Sequence, residues 1–196
     1  MHSHPATAIE STRAWLEKAV IGLNLCPFAR SVYTRGQVHF VVSDATEPDV
    51  LHAHLKSELE QLMEADPQVR DTTLLIVPGC LNDFLDFNDY LGAAEDLLEE
   101  LGLEGEIQIA SFHPDYQFAG TKKNDVTNCT NRSPYPTLHL LREESIDRAV
   151  EAFPDAESIF EKNMEVLEAL GPQGWTELGV GPGGWDALAT KPAIAP

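Results

Sequence analysis

Basic residues are scarce in this sequence: 13 Lys and Arg stand against 32 Asp and Glu, for a formal charge of −19. Such a chain repels phosphate backbones and anionic lipid, which excludes nucleic acid and membrane surfaces as partners of the whole. Cysteine is scarcer still. Cys26, Cys80 and Cys129 are far apart and form no CxxC pair, so neither a zinc knuckle nor a disulfide framework is indicated, and a reducing compartment suits them. No apolar run approaches the roughly 18 to 20 residues of a membrane span. The start, Met1-His2-Ser3-His4-Pro5, lacks the cationic and apolar stretches of a signal peptide. A cytoplasmic location is the expectation. HExxH, Walker, GxGxxG and GxSxG patterns are absent, which leaves the cofactor unknown and names no metal ligand.

What is present is hydrophobic periodicity. Ile9, Trp15, Leu16, Ala19, Val20 and Leu23 recur at helical spacing and predict an N-terminal helix from about Ala6 to Asn24. Alternation predicts a strand at Gln37 to Ser43, and unbroken apolar runs predict buried strands at Thr72 to Val77 and Glu106 to Phe112. Amphipathic stretches at Glu47 to Ala65 and Phe84 to Leu101 fall between them. The strand, helix, strand, helix, strand order favours right-handed crossovers and parallel pairing. Thr137 to Leu141 returns as a further strand, and helices follow near Glu143 to Ala152 and Asp155 to Leu170. The class is therefore α/β: a mixed, largely parallel sheet of four strands flanked by helices, with an N-terminal helix and an extended C-terminal arm. One domain covers residues 1–178, and residues 179–196 form a Gly/Pro/Ala-rich tail. In this region Gly171-Pro172-Gln173-Gly174-Trp175 recurs as Gly181-Pro182-Gly183-Gly184-Trp185.

The negative charge is uneven. Residues 44 to 109 carry 17 acids and 2 bases, whereas residues 19 to 43 have no acid beside Arg30 and Arg35, and residues 110 to 142 have 2 acids against 4 bases. Arginines in acid-poor loops are candidates for holding a small anion, because guanidinium meets carboxylate or phosphate in a bidentate manner. Pairing with the acidic helices is the competing use.

In open α/β sheets ligands bind beyond the carboxyl ends of parallel strands. Those ends are Ser43-Asp44, Pro78-Gly79-Cys80 and His113-Pro114-Asp115. The third delivers a titratable imidazole, with Asp115 to orient it and Tyr116 beside it, at the start of a loop to Pro136 longer than most. His113 is thus the candidate acid or base, unless it simply locks the loop backbone. Within Thr130 to Pro136, Arg132 is the candidate anion clamp with Asn131 and Ser133 as neutral partners, and Arg142 and Arg30 complete the set of candidate substrate ligands. Cys26 precedes Pro27. A helix starting at that proline makes Cys26 its cap, and the helix dipole together with Arg30 then lowers the thiol pKa; a buried, inert thiol is the alternative.

Four segments resemble a bacterial family of unknown function, DUF1415. They are Gly22-Leu23-Asn24-Leu25-Cys26-Pro27-Phe28-Ala29, Thr73-Leu74-Leu75-Ile76 with Asp86-Phe87-Asn88-Asp89, Ser111 through Gly120, and Asn131-Arg132-Ser133-Pro134-Tyr135-Pro136 through Ser145. The likeness spans about Ala14 to Leu178. It implies that the His113 and Arg132 segments are family motifs, and it departs at Cys129, where an aromatic residue is expected. It transfers no activity and no catalytic residue. The leading expectation is a small enzyme acting on an anionic metabolite through His113, Asp115, Arg132 and Arg142, with Cys26 approaching the same crevice. A non-enzymatic binding or assembly protein, including a homo-oligomer, is the second. A metal-dependent hydrolase using His113, Asp115 and His139 is the third.

Overall fold

The computed structural model describes residues 5–151 and 158–181. Helix α1 (Pro5–Trp15) runs on through a wider π turn, Leu16–Ile21, and the short α2 (Ala29–Thr34) precedes strand β1 (Val38–Val42). Then come α3 (Pro48–Glu64), β2 (Thr72–Ile76), α4 (Phe84–Glu100), β3 (Ile107–Phe112), a 3-10 turn at Val126–Thr130, β4 (Thr137–Arg142), α5 (Glu143–Glu151) and α6 (Ile159–Leu178). The expected class, an α/β fold with a mixed four-stranded sheet, is the one found. The sheet order is β1-β2-β4-β3. β1 and β2 pair in parallel, while β4 runs antiparallel to both β2 and β3. The three strands expected to be parallel do share a direction, but β3 reaches the sheet only through β4. The long loop before β4 makes this insertion feasible, since a strand returning from the carboxyl edge must run backwards.

The pairing register sorts the side chains onto two faces. Leu75, Leu138, Leu140 and Ile107 pack under α3 and α4 with Leu51, Leu55, Phe87 and Leu97, all buried. This face is sealed. On the other, Leu74 and Phe112 meet Trp15, Leu16 and Ala19 of the N-terminal helix, and α6 adds Leu167 and Trp175. Trp15 and Phe112 meet edge to face at 5.1 Å. Coverage of this second face is partial, because α2 and α5 contribute no fully buried residue.

The arm expected from Gly171 onward is helical as far as Leu178. Gly171, in the left-handed region at φ 67, breaks the helix, and Pro172 restarts it, so that Trp175 docks in the core with no exposed surface. The tail beyond residue 181, with the second Gly-Trp copy, lies outside the described residues.

Two expected anion ligands turn out to hold backbone. Arg142 donates through Nη2 to the carbonyls of Leu62 and, at 2.8 Å, Ala65, where α3 ends. Carbonyls at a helix terminus lack intrahelical partners, and the dipole there favours a cation. Arg30 donates to the Ile21 carbonyl, the end of the π turn, at 3.3 Å. Replacing Arg142 by Met keeps the stem and removes both bonds. It is expected to cost about 1 kcal/mol in urea unfolding, because the Ala65 carbonyl loses its partner while the Leu62 carbonyl keeps the Ala65 amide at 3.3 Å.

Candidate functional site

The carboxyl edge of the sheet was the expected site. Ser43, Gly79 and His113 do converge there, but the edge is filled. A Cβ on Gly79 would stand 2.4 Å from the Ala45 carbonyl oxygen, so the two loops touch backbone to backbone. His113 is fully buried between Phe84 and Phe87 of α4, with ring centroids at 5.5 and 5.1 Å. Its Nδ1 accepts from the Asp115 amide at 3.0 Å, which places the proton on Nε2, and Nε2 donates to the Leu81 carbonyl at 3.1 Å. Both nitrogens are engaged. Burial pushes its pKa below the ordinary histidine value, against the opposing pull of the Leu81 carbonyl and the Asp115 and Asp83 carboxylates. Leu81 is one of two non-glycine residues with positive φ among the described residues, at 54°. The imidazole therefore locks a strained turn, the second of the two uses expected of it.

The rest of that constellation is likewise internal to the loop. The Asp115 carboxylate faces Lys123 at 3.1 Å, with both side chains substantially exposed. Arg132, fully buried, donates through Nε to the Tyr116 carbonyl at 3.1 Å and through Nη2 to the Lys123 carbonyl at 2.6 Å. Asn131 donates to the Ser111 carbonyl at 3.2 Å, and Ser133 to the Tyr135 carbonyl at 2.6 Å. Tyr116 packs its ring between Phe84 and Phe118. His113 and Arg132 are brought close, as the His113 amide donates to the Asn131 carbonyl at 3.1 Å. They serve the backbone, however, and leave no anion clamp.

Cys26 is not the cap of a helix. α2 begins two residues after Pro27, with Phe28 as its N-cap. Burial raises the Cys26 pKa, outweighing the Phe28 and Ala29 amides, which favour the thiolate. The expected activation is thus reversed. His139 sits on the opposite sheet face from His113, so these two cannot share a metal. Among the described residues no group of three His, Cys, Asp or Glu side chains has the arrangement of a metal site.

One arrangement imitates a catalytic relay. His54 Nδ1 is 3.0 Å from Ser43 Oγ, and its Nε2 is 3.6 Å from Glu58. Ser43 is 1% exposed, and Glu58 is already paired with Arg70. A hydroxyl without access to solvent offers nothing to a substrate, and the group pins β1 to α3.

Open space lies on the half-covered face. A cavity of about 620 Å³ sits between the sheet, the N-terminal helix, α2 and α5. Trp15, Val20, Leu74, Ala110, Phe112 and Leu141 make its apolar wall, and Ile146 and Ala149 of α5 form part of the rim. Of the candidate residues, Cys26 and Arg142 line it. His139, expected only as a metal ligand, and Arg35, from the acid-poor segment, line it too, while sequence reasoning passed over Trp15, Thr72 and Gln108 on the wall and Asp71 and Arg148 toward the amino ends of β1 and β2. One signal was available, because Thr72, His139 and Gln108 are polar residues on a strand face that is otherwise apolar.

His139 is the titratable group of the wall. Thr72 Oγ1 donates to the Leu140 carbonyl at 2.6 Å, so its 2.7 Å contact with His139 Nε2 is accepted from an Nε2–H. Nδ1 then carries the lone pair and has no hydrogen-bond partner among the described residues. Burial alone pulls the His139 pKa down to about 4.

His113→Ala is expected to cost about 1–3 kcal/mol in urea unfolding, by stranding the Leu81 carbonyl and the Asp115 amide. Binding in the cavity on the other face should be unaffected. For His139 the unfolded chain takes up a proton between about pH 6.5 and 4 that the folded chain refuses. Stability therefore falls as pH drops through that window and levels off below it, by on the order of 3 kcal/mol. Urea midpoints recorded from pH 7 to 4 should show a shallower decline for His139→Gln, with His113 and His39, both also held below the ordinary histidine value chiefly by burial, supplying the residual slope.

No curated protein and no solved structure matches the chain. No helix among the described residues is long and apolar enough to cross a membrane. The family model of DUF1415, described as a protein of unknown function, matches residues 7–177, and the chain belongs to that family.

Proposed function

We propose that the protein binds a small, largely apolar molecule in the cavity on the half-covered sheet face. The carrying observation is the cavity wall itself. Trp15, Leu74, Phe112 and Leu141 border a space of about 620 Å³, within the range of about 300–1,000 Å³ typical of ligand pockets, which combine apolar walls with a few placed polar groups. Thr72, Gln108 and His139 supply those polar groups. Ala110, the small residue in the middle of β3, keeps the chamber open.

The expectation of histidine acid–base chemistry on an anionic metabolite moves with this site from His113 to His139. A base with a pKa of about 4 is poorly matched to proton transfer near neutrality. The geometry thus favours binding over catalysis, with His139 accepting a hydrogen bond through Nδ1. Assembly through the long loop has less support, since the loop's polar groups are consumed internally.

Ala110→Phe tests the reading by filling the chamber. The neutral dye N-phenyl-1-naphthylamine should bind the natural chain with a rise in its fluorescence and energy transfer from Trp15. The variant should bind at least about 10-fold more weakly, the effect of losing some 1.4 kcal/mol of apolar contact. Equal binding by the two, at an unchanged melting temperature, would overturn the proposal.

A further inference from the structure

We infer that the molecule bound in the chamber carries an anionic head group, received at the mouth by Arg35. This rests on the chamber being the binding site. The apolar cavity continues at the amino ends of β1 and β2 into a second space of about 380 Å³, and Arg35, Asp71 and Arg148 border both. Gln37, Pro67 and Gln68 complete the second space. An elongated molecule can therefore lie with its apolar part against Leu74 and Leu141 and its head in this polar vestibule.

Arg35 is built for that head. Its Nε donates to Gln37 Oε1 at 2.5 Å and its Nη1 to Ser31 Oγ at 2.5 Å. Gln37 is itself held, 3% exposed, by donating to the Pro67 carbonyl at 3.0 Å. The guanidinium is thus fixed by two neutral groups and makes no salt bridge among the described residues. Unlike Arg132 and Arg142, which are held by main-chain carbonyls, this guanidinium is oriented by side chains at the border of the cavity. Nη2 is left to donate outward, and donors held in place before binding lose little entropy when they engage.

The neighbouring charges limit which residue does this. Arg148 is already engaged with Glu144 at 2.7 Å and Ser145 at 2.9 Å. Asp71 lines the same vestibule, and its carboxylate accepts from the Ser145 hydroxyl at 2.6 Å. Asp71 is 6% exposed, which keeps it behind the arginines. A single carboxylate suits this mouth, because one strong cation receives it while the Asp71 carboxylate repels a more highly charged group.

The test compares decanoate with decan-1-ol, which share a chain and differ in charge, by isothermal titration calorimetry on the full chain and on Arg35→Gln. Decanoate is expected to bind about 10-fold more tightly than the alcohol, the value of one charge-assisted hydrogen bond at a partly exposed site. Arg35→Gln should bring decanoate down to the alcohol's affinity and leave the alcohol unchanged, and added salt should weaken only decanoate. Arg148→Gln should have the smaller effect. If acid and alcohol bind equally, or Arg35→Gln weakens both alike, the head-group inference falls while the chamber stands. If neither binds, the chamber reading falls and takes the inference with it.

Discussion

Arg132 is the interaction on which the rest of the structure depends. A guanidinium with no exposed surface is costly to desolvate, and it is tolerated here because it meets the loop carbonyls of Tyr116 and Lys123. Asn128, equally buried, complements it by donating to the Lys122 carbonyl while its Oδ1 accepts from the Phe118 amide and the Thr121 hydroxyl. A loop of over twenty residues has many backbone groups to satisfy without a ladder. These two side chains supply that ladder's substitute. The loop can then bring the chain back at the carboxyl edge, pointed the other way, and β4 slots between β2 and β3. Without that return β3 would have no partner strand.

The insertion of β4 also decides where a ligand can go. Once the returning loop occupies the carboxyl edge, with His113 tied to Leu81 and Gly79 pressed on Ala45, the crevice usual for parallel sheets is lost. The unfilled volume moves to the face that α3 and α4 leave alone. There Trp15 and Phe112 close one end, while α5, which follows β4 directly, lies over the other without burying a residue fully. Ile146 and Ala149 of this helix border the cavity instead. The same strand thus closes one site and opens another.

How far this was legible in the sequence follows from what each signal encodes. Periodicity reports which face of an element is apolar, so the strands at residues 38–42, 72–76, 107–112 and 137–142, and the helices between them, were readable to within a residue or two. It does not report what lies opposite that face, and a chamber wall such as Leu74 or Leu141 reads the same as a core strand. The order β1-β2-β4-β3 was hidden for a similar reason, since pairing depends on where a loop ends rather than on its composition. Trp175 was assigned to an arm because Gly171 and Pro172 signal a stop. In the fold they mark a kink, after which seven more helical residues carry the tryptophan into the core.

The candidate site failed on a subtler point, the use of charge. Arginine in an acid-poor segment was read as a group awaiting an anion, yet Arg30, Arg132 and Arg142 all turned to main-chain carbonyls. The acid-poor composition has a simpler cause. A guanidinium that serves carbonyls must not be captured by a carboxylate, and acids are correspondingly few in the segments that hold Arg30 and Arg132. Arg35 sits in the same acid-poor stretch as Arg30, but its partners are the side chains of Gln37 and Ser31. These orient the guanidinium without using its outer edge. The composition signal thus marks both kinds of arginine, and their partners separate them: Arg30, Arg132 and Arg142 hold main-chain carbonyls and close the fold, while Arg35 is held by side chains and borders the cavity's mouth.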